Sequence, residues 1–116
     1  MTTSDPKQCM QCGMCNTVDP ILTAIKKESA STRYKAVLAK QGKTSSLFYL
    51  CTDTGTQEAA CPAGIALGEV FRKMREQSIA AGITTEANEK MKANFLKNGT
   101  PYESMDAEDW HDKPIW

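Results

Sequence analysis

The residues of this chain with the most chemistry to offer are its five cysteines, and they fall in two places. Cys9, Cys12 and Cys15 stand three apart in Cys-Met-Gln-Cys-Gly-Met-Cys. Cys51 and Cys61 bracket the stretch Cys-Thr-Asp-Thr-Gly-Thr-Gln-Glu-Ala-Ala-Cys, which Pro62 follows. Clustered cysteines in a reducing compartment serve as metal ligands more often than as disulfides, and an odd number argues the same way. Three cysteines at a spacing of three converge on one point only if the backbone coils round that point, and Gly13 allows it to do so. His111 is the only histidine. No acid–base pair, nucleophile arrangement or phosphate loop accompanies the cysteines, so catalysis by the chain alone is not expected.

A 4Fe–4S cluster needs four thiolates. The run Cys-x2-Cys-x2-Cys-x3-Cys-Pro, used twice, supplies them for two clusters, with the fourth cysteine of each run serving the other cluster. On that pattern residues 9–20 read Cys9, Cys12, Cys15 and Asp19-Pro20, while residues 51–62 read Cys51, Thr54, Gln57 and Cys61-Pro62. Sorted by cluster, the first set is Cys9, Cys12, Cys15 and Cys61, all thiols. The second is Cys51, Thr54, Gln57 and Asp19, with a single thiol left. The spacing therefore predicts one 4Fe–4S cluster on Cys9, Cys12, Cys15 and Cys61. It predicts none at the second site, where Asp19, Thr54 and Gln57 stand in place of cysteine. Zinc on four cysteines is the competing reading, although zinc sites usually pair their cysteines two and two; a three-iron cluster is a further variant.

The surroundings sharpen these roles. Asp19 before Pro20 suits a helix N-cap. Thr54 and Gln57 suit hydrogen bonds that fill vacated space. Cys51 reads as a half-buried apolar thiol or, alternatively, as a reactive redox thiol. Met10 and Met14, inside the ligand loop, are expected to pack round the cluster and exclude water, which would tune its potential.

The elements that must position these residues are helices. A short helix is expected from Pro20 through Ile21, Leu22 and Ile25 to about residue 29. A second is expected over residues 32–40, with Tyr34, Val37 and Leu38 on one face and Gly42 as its stop. A third, over residues 45–51, would turn Leu47, Leu50 and Cys51 inward. The clearest period is Leu67, Val70, Phe71 and Met74, which predicts a helix over 67–81 ended by Gly82. Another is expected over 85–97, with Ala87, Met91 and Phe95 in one stripe and Gly99 closing it. No strand pair with a hairpin signal is present. The expected fold class is mostly α, with two cysteine loops between short helices: a domain over residues 1–102 and an acidic tail over 103–116.

Charge and length set outer bounds. The 116 residues fit one domain of a size that benefits from a metal or a partner surface. Fourteen basic and fourteen acidic residues balance, which argues against a nucleic-acid binder. The balance is uneven: residues 1–50 carry seven Lys or Arg against three Asp or Glu, and the last sixteen carry five acids against one Lys. Lys26-Lys27 and Arg72-Lys73-Arg75 read as solvated helix faces or as docking points for an acidic partner. Trp110 and Trp116 either fold back on the core or anchor a partner. No apolar run approaches the roughly 18–20 residues that span a bilayer, and the polar start of the chain has no signal-peptide core. A soluble cytoplasmic protein is the expectation.

The chain resembles the C subunit of heterodisulfide reductase and the matching N-terminal domain of its D subunit. The resemblance is carried by the runs 9–20 and 51–62, by the Leu50-Cys51-Thr-Asp approach, by Pro62-Ala-Gly64-Ile65, and by Phe95-Leu-Lys-Asn-Gly-Thr-Pro-Tyr102. It covers roughly residues 7–102. It implies an α-helical ferredoxin fold and electron transfer within an oxidoreductase complex, with partner subunits that carry cysteine-rich CCG domains or flavin. The family wires electrons through two clusters, whereas this chain keeps ligands for one. No CCG-type sequence is present, so disulfide chemistry would belong to another subunit. An electron-transfer subunit is the leading expectation; a structural or assembly module stapled by the cluster, or a redox sensor, stands beside it.

Overall fold

A computed structural model describes residues 3–102. The expectations for Trp110, Trp116, His111 and the acidic tail lie outside the described residues. The fold is mostly helical and divides into two compact units, one spanning Met1–Ile83 and a second beginning at Thr84. The helices are α1 (Pro20–Ile25), α2 (Thr32–Lys40), α3 (Thr56–Ala60), α4 (Leu67–Ala80) and α5 (Glu86–Asn98), with short 3₁₀ turns between them.

Local chemistry sets the helix ends. Asp19 caps α1, its carboxylate accepting from the Ile21 N–H at 2.9 Å, and Pro20 opens the helix with the φ it prefers. The helix is shorter than the sequence suggests. Lys26 turns left-handed at φ 59° and ends it, and a separate 3₁₀ turn covers Glu28–Ala30. Ser31 caps α2 through Tyr34 N–H. Thr85 caps α5 through Asn88 N–H, and Gly99 closes that helix at φ 72°. Helix α4 is the longest and carries the expected stripe: Leu67, Val70, Phe71 and Met74 are all buried.

The core of the first unit joins Ala36 and Ala39 of α2, Phe48, Ile65, and Leu67, Val70, Phe71 and Met74. Phe48 is fully buried, and its ring meets Phe71 in a tilted pair with centroids 5.9 Å apart. Two expected inward faces are corrected here. On α2 the buried residues are Thr32, Lys35, Ala36 and Ala39, while Tyr34 is exposed. The small alanines let α2 lie close on α4, and that approach outweighs the larger apolar side chains on the neighbouring face. Over residues 45–51 a 3₁₀ turn, Ser46–Tyr49, replaces the expected helix. It swings Phe48 inward and leaves Leu50 exposed.

Long-range backbone pairing ties the N-terminal segment to the end of the second cysteine loop. Thr3 forms an isolated parallel bridge with Ile65. Thr3 N–H donates to Gly64 carbonyl and Ala66 N–H to Thr3 carbonyl, both at 2.8 Å. Residues shortly before Cys9 therefore run beside residues shortly after Cys61. The Tyr49 hydroxyl donates to Ile83 carbonyl at 2.8 Å and pins the last residue of this unit. In the second unit, Ala87, Met91 and Phe95 are exposed rather than buried as a stripe.

The corrected face around Phe48 has a measurable consequence. Phe48→Ala is expected to cost about 3–5 kcal/mol in anaerobic equilibrium denaturation, as for other buried aromatics. Leu50→Ala, at an exposed position, is expected to cost less than about 1 kcal/mol. Equal losses would place Leu50 in the core instead.

Candidate iron–sulfur site

The two cysteine runs fold into the same backbone shape. In the first, Gln11 and Gly13 take left-handed conformations, φ 58° and 81°. In the second, Asp53 and Gly55 do so at the matching positions, φ 52° and 77°. Each glycine then starts a short helical turn: Met14–Val18 after Gly13, and α3, Thr56–Ala60, after Gly55. The two turns pack against each other. A left-handed residue followed two places later by a left-handed glycine curls the chain into a loop whose side chains at the first, fourth and seventh positions face a common centre.

In the first loop those side chains are sulfurs. Cys9, Cys12 and Cys15 line one pocket of about 360 Å³, open to solvent, and Cys61 from the end of the second loop lines it with them. Ala36, Ile65 and Leu67 form its apolar wall. Cys9, Cys15 and Cys61 are half-buried against the core, and Cys12 is exposed. Burial, then the neighbouring charge of Cys9, and then those of Cys61 and Cys12 push the Cys15 thiol up to about 11, against the pull of its own backbone N–H. Four thiolates held this close repel one another unless a cationic centre stands between them, and iron supplies one. No group of three or more His, Cys, Asp or Glu among the described residues is gathered as a single ion requires. A ring of sulfurs round a pocket suits a larger group.

Two cations that the sequence reading passed over support this loop. Lys40 donates from Nζ to the Cys9 carbonyl at 2.9 Å. Arg33 lines the pocket beside Gly13. Its backbone N–H donates to Asn16 Oδ1 at 2.9 Å, and its guanidinium pairs with Glu28 at 2.7 Å. That pair is about half exposed, so it contributes little stability; its effect is to hold a positive group at the pocket. Met10 and Met14 do not seal the loop as expected. They are 64% and 50% exposed, and only Met10 reaches the pocket lining.

The second set of positions carries hydrogen bonds in place of sulfurs. Asp19 is 1% exposed. Besides capping α1, it accepts from Thr32 N–H at 2.6 Å and from the Thr32 hydroxyl at 2.8 Å. Gln57 is buried, and its Oε1 accepts from Thr54 and Thr56 hydroxyls, each at 3.3 Å, while those hydroxyls lie 2.9 Å apart. The expected N-cap at Asp19 and the expected polar filling by Thr54 and Gln57 both match these contacts. Cys51 is half-buried against the core. A second pocket of about 230 Å³ is lined by Cys51, Gln57 and Phe71, with Asp53, Glu58 and Gly68. There the Glu58 carboxylate accepts from the Gly68 N–H at 2.6 Å. It thereby caps α4, whose own N-cap residue, Ala66, offers no side-chain bond.

Lys35 was invisible to the sequence reading and is the most unusual side chain of the site. It is a lysine 1% exposed. Its ammonium donates to the carbonyl of Leu50, the residue before Cys51, and stands 5.7 Å from the centroid of the Phe71 ring. Burial pulls its pKa below the ordinary lysine range, while the charges of Asp19 and Cys51 push it back up and Arg75 lowers it slightly. The basic run 72–75 is also not one solvated face. Arg72 reaches Asp53 at 3.6 Å and Lys73 pairs with Glu69, whereas Arg75 is half-buried and donates to the Phe48 carbonyl.

A family model of the 4Fe–4S dicluster domain matches residues 8–66, half the chain, and spans both loops. This chain belongs to the 4Fe–4S dicluster domain family. A search of the curated proteins found no match. As a 4Fe–4S dicluster protein it is an iron–sulfur protein of ferredoxin-like type, with the electron-transfer role of such domains. When bound, a 4Fe–4S cluster supplies one-electron chemistry. The first donor set, four thiolates on one pocket, fits such a group; the second, with one thiol and three oxygen-bearing side chains, does not. No helix among the described residues is long and apolar enough to cross a membrane.

The paired loops make a sharp comparison. Gly13→Ala and Gly55→Ala both force alanine to a positive φ, which costs about 1 kcal/mol. At Gly55 the new Cβ meets open space, but at Gly13 it stands 3.3 Å from Arg33 Nη1. Gly13→Ala is therefore expected to lose bound iron as well as stability, and Gly55→Ala to lose stability alone. Iron analysis alongside thermal unfolding separates the two.

Proposed function

We propose that this protein is the electron-transfer iron–sulfur subunit of a heterodisulfide-reductase-like oxidoreductase complex, holding one 4Fe–4S cluster on Cys9, Cys12, Cys15 and Cys61. The observation that carries the reading is the contrast between the two donor sets. Four cysteines line one pocket, while Asp19, Thr54 and Gln57 have their oxygens engaged in hydrogen bonds. Among the described residues no buried side-chain nitrogen or oxygen lacks a partner, and the hydrogen bonds of Asp19, Thr54 and Gln57 run to other groups of the chain.

The residues give each part of this role a physical basis. Half-burial of Cys9, Cys15 and Cys61 against the core shields one side of the cluster from water, which bears on its potential. Exposed Cys12 marks the side from which an electron enters or leaves. A chain with one cluster relays electrons only if a partner brings its own centre close to that side. We assign the partner as a subunit carrying a CCG domain or flavin, in the cytoplasm, where thiolate ligands stay reduced. Residues 1–102 act as the iron–sulfur domain of this assembly.

The test is direct. Anaerobically purified protein is expected to contain about four iron and four acid-labile sulfide per chain and to show an EPR signal that appears on reduction and vanishes on reoxidation. Cys61→Ser is expected to abolish that signal and Cys51→Ser to preserve it. About eight iron per chain would mean two clusters. A cluster that resists reduction, yet whose removal unfolds the chain, would make it a structural staple.

A further inference from the structure

One face of α2 meets the cysteine triplet. Ala36 lines the first pocket, Arg33 lines it one turn earlier, and Lys40, one turn later, donates to the Cys9 carbonyl at 2.9 Å. Among the residues that line this pocket, Arg33 alone carries a fixed charge. Two partners hold it in place. Its Nε and Nη2 bind Glu28 Oε1 at 2.8 Å and 2.7 Å. Asn16, the residue after Cys15, accepts the Arg33 backbone N–H through Oδ1, and its Nδ2 donates to both Glu28 oxygens at 3.2 Å. Nη1 is the guanidinium nitrogen nearest Gly13, 3.3 Å from where a Cβ on that residue would stand. Gly13 lies between Cys12 and Cys15. The cation is thus clamped to the turn that carries the sulfurs.

We infer that Arg33 sets the reduction potential of a cluster held by Cys9, Cys12, Cys15 and Cys61: its guanidinium, clamped by Glu28 and Asn16, favours the reduced state, and the Glu28 carboxylate moderates that effect. The inference rests on the reading that the first pocket holds the cluster, and it adds the groups that tune it. Reduction moves one electron from a reduced flavin or iron–sulfur centre of the partner to the cluster. No bond forms or breaks at Arg33, and the site gains one negative charge. A positive group at the pocket stabilises that added charge, and a negative group opposes it. Arg33 and Glu28 are each about half exposed, so solvent screens the effect to a modest size. A lysine at this position would carry the charge but lack the planar fork that meets Glu28 through two nitrogens.

The experiment is an anaerobic redox titration followed by EPR, with iron counted in each protein. Arg33→Gln is expected to keep its iron and to make reduction about fivefold less favourable, a shift of roughly 40 mV to lower potential at about 59 mV per tenfold change for one electron. Arg33→Lys, which keeps the charge, is expected to recover more than half of that shift. Glu28→Gln removes a negative charge while its amide oxygen still accepts from Arg33, so its potential is expected to rise, by about half as much. Raising the salt concentration is expected to shrink both shifts. A merely structural role would move Arg33→Gln and Glu28→Gln in the same direction, and that outcome overturns the inference. An unchanged potential in Arg33→Gln overturns it too, as does a potential in Arg33→Lys as low as in Arg33→Gln. Should Arg33→Gln lose its iron, Glu28→Gln decides: a raised potential supports the inference, and a native or lowered one overturns it. Native protein that binds no iron sinks instead the reading of the pocket on which the inference rests.

Discussion

The first unit depends on a steric constraint: two loops, each kinked by two left-handed residues, must lie against one apolar wall. Gln11 and Gly13 in one loop and Asp53 and Gly55 in the other adopt nearly equal angles. A non-glycine residue there carries strain of order 1 kcal/mol, which packing must outweigh. Phe48, Phe71 and Leu67 supply that packing, and cysteines of both loops rest on the same cluster of side chains. The Thr3–Ile65 bridge adds a long-range clamp, so that the triplet near the start of the chain and the distant Cys61 arrive at one pocket.

The two loops reach the same shape by different chemistry. One gathers sulfurs that repel each other when ionised, a cage that is stable only around positive charge. At the other set of positions, the hydroxyls of Thr54 and Thr56 meet the Gln57 amide oxygen and the Asp19 carboxylate meets Thr32. Buried polar groups of this kind are tolerated only when every member is satisfied, since a single orphan costs about 1–3 kcal/mol. The short contacts of Asp19 to Thr32 meet that requirement, and they hold α1 and α2 together.

Much of the arrangement was legible in the residues. The cysteine spacing and the two prolines gave the register of the paired loops, because a metal cage tolerates few alternatives. Asp19-Pro20 announced its cap, and the Leu67–Met74 stripe announced α4, since both depend on local chemistry. What stayed hidden depends on distant partners. The inward face of α2 could not be read from its apolar residues, because close approach to α4 selected Ala36 and Ala39 over Tyr34. Lys35 looked like any solvated lysine until the Leu50 carbonyl and Phe71 were seen beside it. Phe48 was missed because a 3₁₀ turn presents a different side than the α-helix expected there. Nor does any spacing rule reveal the left-handed turns at Gln11 and Asp53, since neither residue type demands that conformation.

The capping of α4 by Glu58 carries a consequence for how the protein matures. Glu58 sits on α3, in the second loop, and its carboxylate fixes the start of the longest helix through Gly68. That linkage belongs to the polypeptide alone, so it is available before any iron arrives. Cys61 follows α3 directly and stands on this pre-set scaffold. A newly made chain thus holds Cys61 on a segment anchored by its own hydrogen bonds.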